Sequence, residues 1–276
     1  MKLEFRDSIV NIYNWIQKII FNTYEEWHMK NPIYDSNGFH IVGIDNSLKA
    51  MQDGYIMYTE IYPPHAINGC TSMKAVVGKS EEVLNLYMEI NGKKYAIFDL
   101  SYGDAVQVMR TFVKRSALPD EKTYTEVLEN DNEKIKASFT ELSELLIGDS
   151  KYAQSFLKRV KPENMEDIEI AWEELYEELL RLGKAVELDW KGRKNIFVHA
   201  VKTLSLGLKL EINEDILDVN EDIPRWSKVT NSLWEDHILA AMDMGSDSYV
   251  LIILSKENFS RVKELARIIL HRIAAA

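Results

Sequence analysis

AAMDMGSDSYVLIIL, residues 240–254, decides how the second half of this chain is built. Two apolar runs flank a short polar island. ILAAMDM (238–244) and YVLIILS (249–255) are rich in apolar and strand-forming residues. Gly245, Ser246, Asp247 and Ser248 between them are turn formers: glycine reaches positive φ, and aspartate and serine bond their own backbone. The stretch therefore predicts two strands joined by a turn. A rival reading makes the island a divalent-metal site, since hard cations want carboxylate oxygens and Asp243, Asp247 and Asp189 supply them. Local spacing places no third ligand beside the first two, so the turn explains the island with fewer assumptions.

Working outward, MEDIEIAWEELYEELLRLG (165–183) predicts a helix closed by Gly183. KAVELDW (184–190) predicts a short strand, KNIFVHAVKTLSLG (194–207) a helix, and Arg225–His237 another with Pro224 in its first turn. Glu257–Ile273 predicts the closing helix, and Ala274–Ala276 read as a vector scar. The first half predicts a helix from Phe5 to Met29, a turn-rich break at 31–38, and strands at 40–44, 55–62, 72–77, 83–90 and 94–100. Asn91-Gly92 between the last two is a strong hairpin signal. GDAVQVMRTFVKRS (103–116) predicts a helix with Asp104 near its start and Lys114 and Arg115 in its last turn, as the helix dipole prefers.

Strands and helices mix without strict βαβ alternation, so the fold class is α+β. Two domains are expected. Residues 1–150 form an antiparallel meander with flanking helices, and 151–273 a small mixed sheet packed by helices. The boundary falls somewhere in the polar helical stretch 119–165.

The 276 residues carry a formal charge of −11. An acidic chain repels phosphate backbones, so nucleic acid is not an expected partner, whereas a basic protein is. The single cysteine, Cys70, allows neither a disulfide framework nor a four-ligand zinc site. The N-terminus mixes charges into its apolar pattern, and no run approaches the roughly 18–20 apolar residues of a membrane span. A cytoplasmic location without membrane contact is therefore expected.

No catalytic constellation stands out. His28, His40, His65, His199, His237 and His271 form no ligand pair at i, i+4. His65 lies five residues before Cys70, so a Cys/His dyad is open, but no third member is named. GKSEE (78–82) lacks the P-loop frame, and YGDA (102–105) puts a negative charge where an anion would sit. No cofactor is implied.

Charge patterning is the broad signal. Glu163–Glu178 holds eight acids and no base; Glu211–Asp222 holds six (Glu211, Glu214, Asp215, Asp218, Glu221, Asp222) and again no base. Such runs are solvated faces or surfaces that a basic protein reads. Trp172 and Trp234 read as core. Trp190, in the polar turn LDWKGRK, reads equally as core or as a binding anchor.

The run AWEELYEELL…VELDWKGRKNIFVHAVKTL…IPRWSKVTNSLW…LAAMDMGSDSYVLIIL resembles a bacterial α+β domain family associated with polymorphic-toxin immunity proteins, over roughly residues 165–272. That resemblance implies a role in binding and blocking a cognate toxin, one whose site handles nucleic acid or NAD. It carries no catalytic residues to transfer. The expected contact surface comprises Asp189, Trp190, Glu211, Glu214, Asp215, Asp218, Glu221, Asp222, Asp243 and Asp247. The alternative is a hydrolase using Asp189, Asp243 and Asp247 with a metal, or Cys70 with His65. Oligomeric state is left open.

Overall fold

The computed structural model describes residues 23–80, 82–127, 131–208 and 210–276. The chain is α+β, with two antiparallel sheets, and divides into two compact units, 1–129 and 130–276.

In the first unit β1 (Thr23–Asn31), β2 (Tyr34–His40), β3 (Tyr58–Tyr62), β4 (Cys70–Val77), β5 (Val83–Ile90), β6 (Lys93–Ser101) and β7 (Thr125–Glu126) form one sheet in the order β2-β1-β3-β4-β5-β6-β7. Helices α1 (Val42–Gln52) and α2 (Tyr102–Arg115) accompany it. Trp27 of β1 meets Phe112 of α2 edge-on at 5.5 Å, and Arg110 of α2 reaches Asp45 of α1 at 2.6 Å. Asn91 (φ 52°) and Gly92 (φ 73°) make the tight β5–β6 turn, both in the left-handed region that such hairpins require. The Ser101 hydroxyl caps α2 by accepting from the Asp104 N–H at 3.1 Å.

Two expectations for this unit are corrected. The helix expected over 5–29 is a strand where it is described: Trp27, Met29 and Asn31 are buried at every second position, the period of β1. Its first part, 5–22, lies outside the described residues. Of the strand expected at 40–44, His40 ends β2 and Val42–Ile44 begin α1, because Ile44, Leu48 and Met51 bury one helical stripe.

The second unit begins with α3 (Asp131–Ile147), α4 (Ser150–Val160) and α5 (Met165–Arg181). It continues through β8 (Ala185–Asp189), α6 (Lys194–Leu204), α7 (Ile223–Leu233), β9 (His237–Met242), β10 (Ser248–Ser255), α8 (Lys256–Ile268) and β11 (Ile273–Ala275). The division lies at 129/130, inside the expected 119–165 stretch and ahead of the expected bound at 150, and Phe139 and Leu142 of α3 are fully buried in the core of the second unit. The sheet order is β11-β9-β10-β8. Where a mixed sheet was expected, every pairing is antiparallel; β8 and β9 run the same way, but β10 lies between them.

Helices cover both faces of this sheet. Val250, Ile252 and Leu254 of β10 join Ala240 and Met242 of β9 and Ala185 of β8 in a core with α3, α4, α5 and α8. Leu251, Leu239 and Leu188, on the alternate positions, join a second core with α6 and α7. Strands buried on both faces read as continuous apolar runs, which is why YVLIIL shows no polar alternation.

The expected closing helix ends at Ile268. Leu270 turns left-handed (φ 60°), and the N–H groups of Leu270 and His271 bond the carbonyls of Arg267 (3.0 Å) and Ala266 (2.9 Å). That is a Schellman cap with leucine in the place glycine usually takes. The chain then pairs with β9 from Ile273↔Met242 to Ala275↔Ala240, so Ala274 and Ala275, two of the three alanines expected as a scar, are part of the sheet.

Candidate functional site

The polar island of 243–248 is the β9–β10 turn. Asp243 Oδ1 accepts from the Gly245 N–H at 2.9 Å, and its carbonyl accepts from the buried Trp172 indole at 3.0 Å. Asp189 sits across from Ser248 at the end of β8, where its Oδ1 accepts from the Lys191 N–H at 2.8 Å. The Trp190 N–H donates to the Asp247 carbonyl at 3.3 Å. Asp189, Trp190, Asp243 and Asp247 therefore share one end of the sheet. Trp190 is 53% exposed, with the Lys191 ammonium 4.6 Å from its ring centroid.

The acids of 211–222 do not form one cluster with these. Asp218, Glu221 and Asp222 approach the Trp190 turn. A Cβ on Gly192 would stand 3.3 Å from Ile223 Cδ1, and Lys194 Nζ donates to the Leu217 carbonyl at 2.7 Å. Glu211, Glu214 and Asp215 lie toward the other end of α6: Glu214 pairs with Lys202, and the Glu211 carbonyl accepts from the buried Trp234 indole at 2.9 Å. An eleven-residue helix is about 16 Å long, so a single small contact does not span both groups.

Most of these carboxylates have local tasks. Asp222 caps α7 by accepting from the Arg225 N–H at 3.1 Å, and Asp218 Oδ1 accepts from the Asn220 N–H at 2.9 Å. Arg225 stands 3.8 Å from Glu221. The run that looks bare of cations in sequence is edged in space by Lys194, Lys202 and Arg225. Sequence reading also missed the apolar part of this surface: Ile196 (50% exposed) on α6 and Val219 (71%) in the loop. The signal available was an isoleucine and a valine at positions that an amphipathic pattern assigns to solvent.

Two further clusters were not foreseen. Glu178 of α5, only 4% exposed, accepts from the Tyr152 hydroxyl and the Arg181 guanidinium through Oε1 and from Arg159 at 2.9 Å through Oε2. It ties α4 to α5. Glu187 of β8 accepts from the Ser248 hydroxyl and, at 2.6 Å, from the Tyr176 hydroxyl. The Ser248 and Tyr176 bonds hold its carboxyl below the usual range, and in return the Tyr176 phenol is pushed up to about 12, chiefly by its bond to Glu187.

The residues named for the hydrolase alternative are arranged as follows. Among the described residues no three His, Cys, Asp or Glu side chains converge as a metal set. Cys70 is fully buried, its thiol donates to the Ser72 carbonyl at 3.2 Å, and burial pushes it up to about 11, whereas His65 is exposed. Reactivity needs an accessible thiolate. Cys70 is thus expected to react with a maleimide at least about 100-fold more slowly in the folded chain than in urea. Intact-mass spectrometry reads this, and fast labelling of the folded chain would contradict the burial.

Among the described residues no helix is long and apolar enough to cross a membrane. A family model described as a domain of unknown function, DUF6630, matches residues 123–276. The match covers more than half of the chain, which therefore belongs to that family. It contains the whole second unit and every residue of the candidate surface. No curated protein and no solved structure matches the chain.

Proposed function

We propose that the chain acts by binding another protein through the second unit, with Trp190 as the anchor. The observation that carries this reading is the exposure of Trp190 on a turn that follows Asp189 and bonds the Asp247 carbonyl, in a unit where Ile196 and Val219 are exposed as well. A large aromatic held half in water gains most when a partner desolvates it, and tryptophan is enriched among such anchors. The net charge of −11 favours a basic partner and a fast encounter. Together with the resemblance of 165–272 to immunity proteins, these features make a cognate toxin with a basic site the partner we propose, met in the cytoplasm.

The test is calorimetric titration of a candidate toxin domain into the chain. Trp190→Ala is expected to weaken binding about 30-fold, the roughly 2 kcal/mol of a hot-spot anchor. Raising salt should slow association. An unchanged affinity for Trp190→Ala, or failure of the chain to protect cells that express the toxin, would remove the proposal.

A further inference from the structure

β8 has one neighbour in its sheet, β10, and pairs with it without a bulge from Ala185↔Ile252 to Asp189↔Ser248. Backbone groups alternate sides along a strand. The Trp190 N–H points to β10, where it meets the Asp247 carbonyl. The N–H and C=O of Leu188 and Val186 must point the same way, and those of Ala185, Glu187 and Asp189 point out of the sheet. The Asp189 carbonyl is taken by the Gly192 N–H at 2.7 Å, while among the described residues of this unit no turn or loop hydrogen bond uses the Glu187 backbone. The edge is thus open at its centre.

Edge strands are ordinarily guarded by lysine, proline or a bulge. β8, AVELD, has none of these. Its charges are Glu187 and Asp189, two residues apart and so on one face, that of α5. Glu187 is not a loose side chain: Ser248 of β10 and Tyr176 of α5 hold its carboxylate on the α5 face. A second copy of the chain is the wrong occupant, because antiparallel self-pairing about Glu187 sets two carboxylates about 5 Å apart.

We propose that the outer edge of β8 takes an extended segment of the partner protein as a fifth strand, with lysine or arginine opposite Glu187 and apolar residues on either side of it. The flanking apolar residues fall opposite Val186 and Leu188, on the α6 face. The added strand bonds the Glu187 N–H and C=O, and its cation meets a carboxylate already held in place. This is strand addition, in which main-chain bonds supply affinity and alternate side chains supply specificity. It rests on the binding role proposed above and names the partner's recognised element.

The probe is the capped peptide Val-Thr-Val-Lys-Val-Thr-Val, titrated into the full chain to millimolar concentration. Amide exchange at Glu187 is expected to slow about tenfold or more at saturation. Replacing the peptide lysine with glutamate, or Glu187→Gln in the protein, should weaken binding about tenfold. A peptide N-methylated at alternate residues, unable to donate to the edge, should not bind; this arm needs no protein variant. Unchanged exchange at Glu187, or equal binding of the N-methylated peptide, overturns the proposal. So does self-association that Glu187→Pro abolishes, since the edge would then belong to a second copy. If the peptide fails while Trp190→Ala still weakens toxin binding, strand addition is wrong and the binding role stands; if both fail, the role falls too.

Discussion

Replacing Trp226 with alanine is expected to lower the unfolding free energy of the second unit by about 3–5 kcal/mol. The indole is buried, with 2% exposed, and packs on Phe197 of α6 at 5.6 Å between ring centroids. Its N–H donates to the Asp218 carbonyl at 2.6 Å, so one side chain fills the core and fixes the loop that leads into the α7 cap. Truncation leaves a cavity among Phe197, Ile223 and Leu217, and also frees the turn. Trp226→Phe keeps most of the ring and loses the hydrogen bond, for about 1 kcal/mol. Urea denaturation read by hydrogen exchange in α6 and α7 separates the two losses. A Trp226→Ala protein within about 1 kcal/mol of the parent would contradict the packing.

The second large effect is a loss of stability in mild acid that runs through His271. Its ring lies flat on Trp172, 4.3 Å between centroids and 7° from parallel, and Nε2 is buried without a hydrogen bond. Burial pushes its pKa down to about 4. Glu169, 3.8 Å away, favours the charged ring, but it is 58% exposed and water screens it. The unfolded chain takes up this proton near pH 6.5 and the folded chain only near 4. Stability from the neutral ring is therefore whole above about pH 6.5 and is lost as pH falls toward 4, by at most about 3 kcal/mol. His271→Phe, which keeps the stack, should flatten the curve of unfolding free energy against pH between about 6.5 and 4.5 relative to the parent. Parallel curves for the two proteins would sink this assignment.

Much of the fold was legible where local signals and tertiary structure agree. Asn91-Gly92 placed the β5–β6 hairpin, and Gly245–Ser248 between two apolar runs placed β9 and β10. The failures share a cause. Residues 23–29 follow an isoleucine-rich stretch whose helical period hides the alternate burial of Trp27, Met29 and Asn31. His40–Ile44 has the β-branched look of a strand, yet the helical stripe begins at Ile44 and completes itself only at Leu48 and Met51. For the candidate surface, the sequence marks Asp189, Asp218 and Asp222 as acids but not as the turn and cap acceptors they are. The cations that edge the acidic run come from other elements, and a linear reading cannot see that Lys202 reaches Glu214 or that Gly192 lies against Ile223. The exposure of Trp190 was likewise undecidable until β8 was known to end one residue before it.

The order of strands in the second sheet also has a bearing on how the chain fails. β9 and β10 close over the short 243–247 turn, while β8 reaches β10 only across the 58 residues between Asp189 and Ser248. Short loops close at less entropic cost than long ones, so docking β8 on β10 costs more loop entropy than closing the β9–β10 hairpin. Departure of β8 bares one flank of Tyr249–Leu254, six residues without charge, proline or glycine, the composition that self-associates into fibrils. Whatever keeps the five-residue β8 seated thereby also covers one flank of an adhesive segment.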